Sequence, residues 1–378
     1  MIVKRTGVTA PKGFLAVGLR AGIKKKSKKK DLAMIFSELP CALAGVTTQN
    51  KVAAAPIILA RETIVRGRAQ AVIVNSGNAN ACTGDEGLKR AQKVRKAVAK
   101  EFSIHEEEVV VASTGIIGVP YPADIIISAI PALKKQMSSR GGLSAAQAIL
   151  TTDLVVKQVV FPIPGTKAVI GGMSKGSGMI HPNMATMLGF LTTDALIDPI
   201  ALQKALWDAV DVSFNMISVD GDTSTNDMVT IMANGAAGNK KIKENTKDYE
   251  SFKKALTKAC ILLAQMIVRD GEGAKKMFEV HVKNARHKLD AIKIAKTIIT
   301  SPLVKTAIAG ADNNWGRTIA AAGRAGAYIE PAKVKVEMKD LKTKSPKIVL
   351  DLGLGNAEAT AWGCDLTEGY IKINTHYN

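Results

Sequence analysis

The stretch Gly171-Gly172-Met173-Ser174-Lys175-Gly176-Ser177-Gly178-Met179-Ile180-His181-Pro182-Asn183-Met184-Ala185-Thr186-Met187-Leu188-Gly189-Phe190 decides how the rest of the chain is read. Glycines crowd its front half, where backbone must approach something closely. Pro182 stiffens the chain, and Thr186 is the hydroxyl placed where the loop meets an apolar run. That run, residues 187–192, and Ala168-Val169-Ile170 before the glycines predict two strands flanking the segment. On composition alone, a glycine turn followed by an ordinary strand threonine is the simpler reading.

Outward from this segment, β-branched runs alternate with amphipathic stretches. Ala71-Val72-Ile73-Val74 predicts a buried strand ending in a turn at Asn75-Ser76-Gly77-Asn78. Thr83 and Glu86 have capping-box spacing ahead of a helix over residues 86–101. Val109-Val110-Val111 predicts another strand leading into a loop at Ser113-Thr114-Gly115, with a helix following over 123–137. Further helices are predicted over 197–210 and 249–268, and the hydrophilic residues 240–247 as a surface connection between subdomains. The class is mixed α/β, without the strict strand–helix–strand rhythm of a doubly wound sheet.

The chain has 378 residues, 47% of them hydrophobic, enough for a large core. Its net charge is +19, and the excess is uneven: residues 1–185 hold 26 basic against 11 acidic residues, residues 186–378 hold 26 against 22. Such a field attracts anions of any size. Nucleic-acid readers add aromatic stacking platforms or a recognition motif, and aromatics are 4% here, so no nucleic-acid partner is expected. The densest basic run, Lys24-Lys25-Lys26-Ser27-Lys28-Lys29-Lys30, reads as an exposed turn. Cys41, Cys82, Cys260 and Cys364 have no metal-ligand spacing, which predicts reduced structural thiols in a cytoplasmic protein. The longest apolar runs fall well short of the ~20 residues of a membrane span, so no membrane partner is expected.

Several conventional sites are absent from the sequence. It has no phosphate-loop, dinucleotide-binding or nucleophile-elbow motif. The acidic cluster from Asp220 to Asp227 lacks the bidentate Glu of a calcium loop, so a hydrogen-bonded turn is expected and metal is not. His181 lies close to the glycine segment as a candidate base; the other histidines show no ligand spacing.

The string Pro182-Asn183-Met184-Ala185-Thr186-Met187-Leu188 resembles the self-processing motif of the ornithine acetyltransferase (glutamate N-acetyltransferase) family. Asn75-Ser76-Gly77-Asn78-Ala79-Asn80-Ala81-Cys82-Thr83-Gly84 is similar to that family's Asn-rich turn, and Ser113-Thr114-Gly115-Ile116-Ile117-Gly118 to its oxyanion loop. Thr151-Thr152-Asp153, Lys175-Gly176-Ser177-Gly178, Asp270-Gly271-Glu272-Gly273-Ala274, Asn314-Trp315-Gly316-Arg317 and Ile373-Asn374 also match, in order along the whole chain.

The resemblance implies a layered αββα core with a smaller C-terminal αβ subdomain from about 280 to 378. It implies self-cleavage between Ala185 and Thr186 into an α part, 1–185, and a β part, 186–378, assembled as α2β2. Thr186 would be the nucleophile, and its freed α-amine, with an ordinary pKa of ~7.7–8.0, the base. Thr114 and Gly115 match the oxyanion hole, and Thr152, Lys175, Glu272 and Asn374, with Thr186, match substrate-binding positions. The implied reaction moves an acetyl group from N-acetylornithine to glutamate, with no cofactor; some family members also take acetyl-CoA as a co-substrate. A self-processed threonine amidase or aminopeptidase is the alternative.

Overall fold

The computed structural model describes residues 6–25, 27–181 and 187–375. The chain divides into two compact units, one of Met1–Lys175, Asn183–Val210 and Thr223–Leu263, the other of Gly176–Pro182, Asp211–Asp222 and Ala264–Asn378. In chain order the first unit contains β1 (Phe14–Leu19), β2 (Leu32–Thr47), α1 (Ala55–Arg66), β3 (Arg68–Asn78), α2 (Gly84–Phe102), β4 (Val109–Ile116), α3 (Ala123–Gln136) and α4 (Gly142–Ala148). Then come β5 (Lys157–Pro162), β6 (Val169–Lys175), β7 (Leu188–Thr193), α5 (Pro199–Asp211), β8 (Ile217–Ser218, second unit), β9 (Met228–Ala233) and α6 (Lys247–Arg269), which runs from the first unit into the second. The second unit continues with β10 (Met277–Ala285), α7 (Lys288–Ile299), α8 (Pro302–Gly310), α9 (Trp315–Gly323), β11 (Lys335–Lys339), β12 (Lys347–Asp351), β13 (Ala357–Cys364) and α10 (Glu368–Asn374).

Among the described residues the first unit carries an eight-stranded sheet of order β4-β3-β2-β9-β7-β6-β5, with β1 paired to β2. The long strand β2 turns the corner. Phe36 pairs with Ala71 and Cys41 with Ala69, so residues 37–40 of β2 stand against Gln70 alone. Extra residues on one strand force a bend, and Pro40, which has no N–H to give a ladder, sits inside it. Before the bend β2 pairs with β3; after it, Ala42 to Thr47 pair with β9.

The two halves of the sheet thereby face each other. Ala33, Ile35, Val72, Val74, Val110 and Ala112 from one half share a buried cluster with Leu43, Met173, Leu188, Phe190, Met228 and Met232 from the other. The alternate residues Leu32, Met34, Ile73 and Val111 point outward, against Val94 and Val98 of α2 and Ile126 and Ile130 of α3. On the opposite outside, Gln203 of α5 bonds both the N–H and the C=O of Gly45 at 3.0 and 3.1 Å, and Leu263 of α6 closes on Gly172. The layering is α-β-β-α, as the resemblance implied.

The second unit carries a five-stranded sheet of order β11-β12-β10-β13-β8. Helix α7 lies on it so closely that a side chain at Gly363 would meet Ile299 at 3.0 Å.

Several local expectations are corrected. The Asn75-to-Asn78 turn is the continuing end of β3, and the Ser113-to-Gly115 loop is the end of β4, the two paired in parallel with Ser76 opposite Thr114 and Gly77 opposite Gly115. The capping box does not form: α2 begins at Gly84, and the Thr83 hydroxyl donates to Asn80 Oδ1 at 2.8 Å. Residues 240–247 do not join the units; Ile242 is buried and bridges to Ile197 within the first. The basic run does form a turn, the Ser27 N–H donating to Lys24 O at 3.0 Å with Lys25, Lys28 and Lys29 exposed, but Lys24 itself departs from the expectation. It is half-buried, its Nζ donating to Leu150 O at 2.6 Å, and burial lowers its pKa to about 8. No helix among the described residues is long and apolar enough to cross a membrane.

Candidate active site

In the first unit the ends of β3, β4 and β6 and the starts of β7 and β9 bring the predicted residues Thr114, Gly115 and Lys175 together. Lys175, the last residue of β6, is 8% exposed and donates from Nζ to Thr114 Oγ1 at 3.3 Å. A lysine this enclosed is held for a charge partner rather than for solubility. Lys175 also pairs across the ladder with Leu188, so it stands level with the residues that follow Thr186 in sequence. Ala185 and Thr186 themselves lie outside the described residues.

Gly115 has φ +136°, which L side chains rarely adopt, and a Cβ there would lie 2.4 Å from the Gly77 carbonyl carbon and 2.5 Å from Asn78 N. Only glycine fits. The backbone around it is fixed by buried amides. Ser113 Oγ donates to Asn75 Oδ1 at 2.6 Å, Asn75 Nδ2 donates to Asn78 O at 2.8 Å, and Asn78 Nδ2 holds Val119 O and Pro120 O. Asn226 Nδ2 reaches across from the start of β9 to Ala79 O at 2.6 Å and Ser113 O at 2.9 Å. A network of this kind holds Thr114 and Gly115 before any substrate arrives, which is what an oxyanion hole requires.

Thr152 is half-buried in the segment after α4. The neighbouring Asp153 anchors that segment: its carboxylate accepts from the Thr151 N–H at 3.0 Å and from Lys157 Nζ at 2.7 Å, both charged side chains being 0% exposed. Lys24 fastens the same segment at Leu150.

In the second unit Glu272 and Asn374 meet. Glu272 is 7% exposed, and Asn374 Nδ2 donates to its Oε2 at 2.9 Å and to Tyr370 O at 3.1 Å. The Glu272 N–H donates to Ser177 O, and a side chain at Gly178 would collide with the Glu272 carboxylate at 2.4 Å. Thus Gly178, itself part of the second unit, leaves room for this acid. Asp220 accepts from the Met179 and Ile180 N–H groups at 2.6 and 2.8 Å, so the acidic cluster supports this turn.

His181 is a poor base. Burial, assisted by Lys296, lowers its pKa to about 4, and its Nδ1 lies 3.3 Å from Ser218 Oγ. Sequence reading missed Lys24, Asn226 and Asp227. Asn226 and Asp227 were read only as part of the acidic, hydrogen-bonded turn, and their contacts at the end of β4 and beside β7 were not foreseen.

The expected effect of Thr114→Val is a kcat lower by about 10²–10³ with the fold retained, read from steady-state rates and the thermal midpoint. Unchanged kcat would show that Thr114 is not an oxyanion donor.

The sequence matches the model described as the ArgJ family over residues 15–346 and 337–378. A relative named "Arginine biosynthesis bifunctional protein ArgJ" from Symbiobacterium thermophilum is 49% identical over 98% of this chain and 98% of its own. One of the same name from Bacillus subtilis is 47% identical over 100% of this chain and 98% of its own. A crystal structure of "Arginine biosynthesis bifunctional protein argJ" from Bacillus halodurans is similar with 44% identity and a TM-score of 0.50, covering 51% of this chain and 100% of that one.

Proposed function

This chain belongs to the ArgJ family, and from that premise we propose that it is an acyltransferase of arginine biosynthesis working through a threonine ester. Thr186 attacks the acetyl carbonyl of N-acetylornithine. Its α-amine, freed by cleavage after Ala185, takes the hydroxyl proton, and the Thr114 hydroxyl with the Gly115 N–H stabilises the oxyanion. Ornithine leaves, and the α-amine of glutamate takes the acetyl group from the ester. In the precursor the same hydroxyl attacks the Ala185 carbonyl, the peptide nitrogen departs as the new amine, and water hydrolyses the ester.

The observation that carries this reading is the enclosed Lys175, 3.3 Å from Thr114 and level with Leu188 across the ladder, two residues beyond the nucleophile. A cation there complements an amino-acid carboxylate, and Glu272 complements an ammonium group. The Bacillus halodurans chain supports cleavage. It is matched in full by 51% of this chain, about the length of one of two fragments divided before Thr186. Acetyl-CoA serves as a second donor in this proposal, no metal or other cofactor takes part, and the processed parts assemble as a cytoplasmic α2β2 particle.

Intact mass of the purified protein tests the cleavage: two fragments divided before Thr186 are expected, and a single active polypeptide would refute it. Assays with and without glutamate test the transfer. Equal acetate release in both would instead identify a threonine amidase. Glu272→Gln is expected to lower kcat/KM for N-acetylornithine by about 10–100-fold, the worth of one hydrogen bond to a charged group, mainly through KM. An unchanged KM would assign Glu272 to structure alone.

A further inference from the structure

Asp227 is the residue before β9, 2% exposed, and its Oδ2 has no hydrogen-bond partner among the described residues. Buried polar atoms left unpartnered are rare and unfavourable, and as a packing element a carboxyl is inferior to an apolar side chain. Its position explains why it is there. β9 runs parallel to β7 with Met228 opposite Leu188, and the Met228 N–H donates to Met187 O at 2.9 Å, so Asp227 stands level with Met187. Its own backbone is clamped on both sides: Thr48 N–H donates to Asp227 O at 2.9 Å, while the adjoining Asn226 holds Ala79 and Ser113.

Burial pushes this carboxyl well above the usual carboxylate range, against the opposing pull of Ser224, Lys175, the Met187 N–H and Thr48. Two of these neighbours belong to the chemistry. Lys175 reaches Thr114 at 3.3 Å, and Met187 follows the nucleophile directly.

We propose that Asp227 is the positioning residue of the threonine nucleophile, a pre-placed acid that fixes the Met187 amide and Lys175. Met187 follows the nucleophile directly in the chain, so a group that holds the Met187 N–H acts next to the threonine in sequence. The proposal rests on Thr186 as nucleophile.

The test is Asp227→Asn, which keeps the shape and removes the acid, with Asp227→Glu, which keeps the acid and shifts it by one methylene. For Asp227→Asn we expect slower appearance of the two fragments in a cell-free synthesis time course. In the processed fraction kcat should fall about 10–100-fold, as for a small misplacement of a reacting group, with KM for N-acetylornithine within about two-fold of wild type. Asp227→Glu should recover part of the kcat. Wild-type processing and kcat in Asp227→Asn would overturn the proposal. A lowered thermal midpoint with normal kcat, or failure of both variants to fold, would overturn it too, assigning Asp227 to the core. Thr186→Ala run beside them separates the two ideas: activity in that variant defeats the nucleophile itself, whereas an inactive Thr186→Ala with a normal Asp227→Asn defeats only the positioning role.

Discussion

Thr186→Ala should remain one unbroken chain and transfer no acetyl group. The loss is expected to be near complete because, in the proposed mechanism, one oxygen serves both events, opening the Ala185 peptide bond and later carrying the acetyl group. A methyl side chain can do neither, and an uncleaved backbone leaves the α-nitrogen as an amide, which is no base. Removing a nucleophile that acts as a unit with its base abolishes the whole covalent route, leaving only what the oxyanion hole and binding supply. Mass spectrometry reads the first effect and acetyl transfer from N-acetylornithine to glutamate the second. A variant that is cleaved or active would show that another group attacks. Thr186→Ser, which retains a hydroxyl, provides the matched control and should be processed.

Lys157→Met should destabilise the protein by about 3–5 kcal/mol, because it strands the Asp153 carboxylate in a site where neither partner meets water. The pair adds little over a well-packed apolar pair of the same size; breaking one side is what is severe. Denaturant unfolding of the single variant and of Lys157→Met with Asp153→Asn makes the distinction. The double variant should be more stable than the single, since no uncompensated charge remains. If Thr152 binds substrate as proposed, the double variant should also bind N-acetylornithine more weakly, because Asp153 holds the Thr151 N–H and so the segment bearing Thr152. Equal stability of the single variant and wild type would mean that the ion pair contributes nothing here.

How much of this could be read beforehand differs by element. The helices over 199–211 and 247–269 were legible because amphipathic repeats persist for several turns, and the structure moves their bounds by only one or two residues. Asn75-Ser76-Gly77-Asn78 misled because its residues favour turns in isolation, whereas here Ser76 and Gly77 pair with Thr114 and Gly115 and the asparagine side chains take the hydrogen bonds that a turn would make. Thr83 failed as a cap for a related reason: Asn80, left-handed at φ 50°, offers its hydroxyl a closer acceptor. The bend in β2 left only Pro40 as a trace, since its cause is the pairing of one strand with two neighbours far apart in sequence. Thr114, Gly115, Lys175 and Glu272 were reached through family resemblance, and periodicity alone would have assigned each to an ordinary turn or surface. Asp227 was legible only as the end of an acidic turn, because burial of a carboxyl is a property of tertiary surroundings, not of its neighbours in the chain.

The order β2-β9-β7-β6 has a physical consequence for a chain that is cut after Ala185. Both strands from beyond the cut, β7 and β9, are threaded between strands from before it, and each outer seam is a six-pair ladder, β2 with β9 and β6 with β7. Separating the pieces therefore means tearing a sheet along two rows rather than undocking two finished bodies. Native protein would lose nothing by the cut, but a denatured molecule would fall into two polypeptides that must find each other again. Unfolding of the processed protein should then respond to dilution, as for a dimer, while the uncut precursor should not.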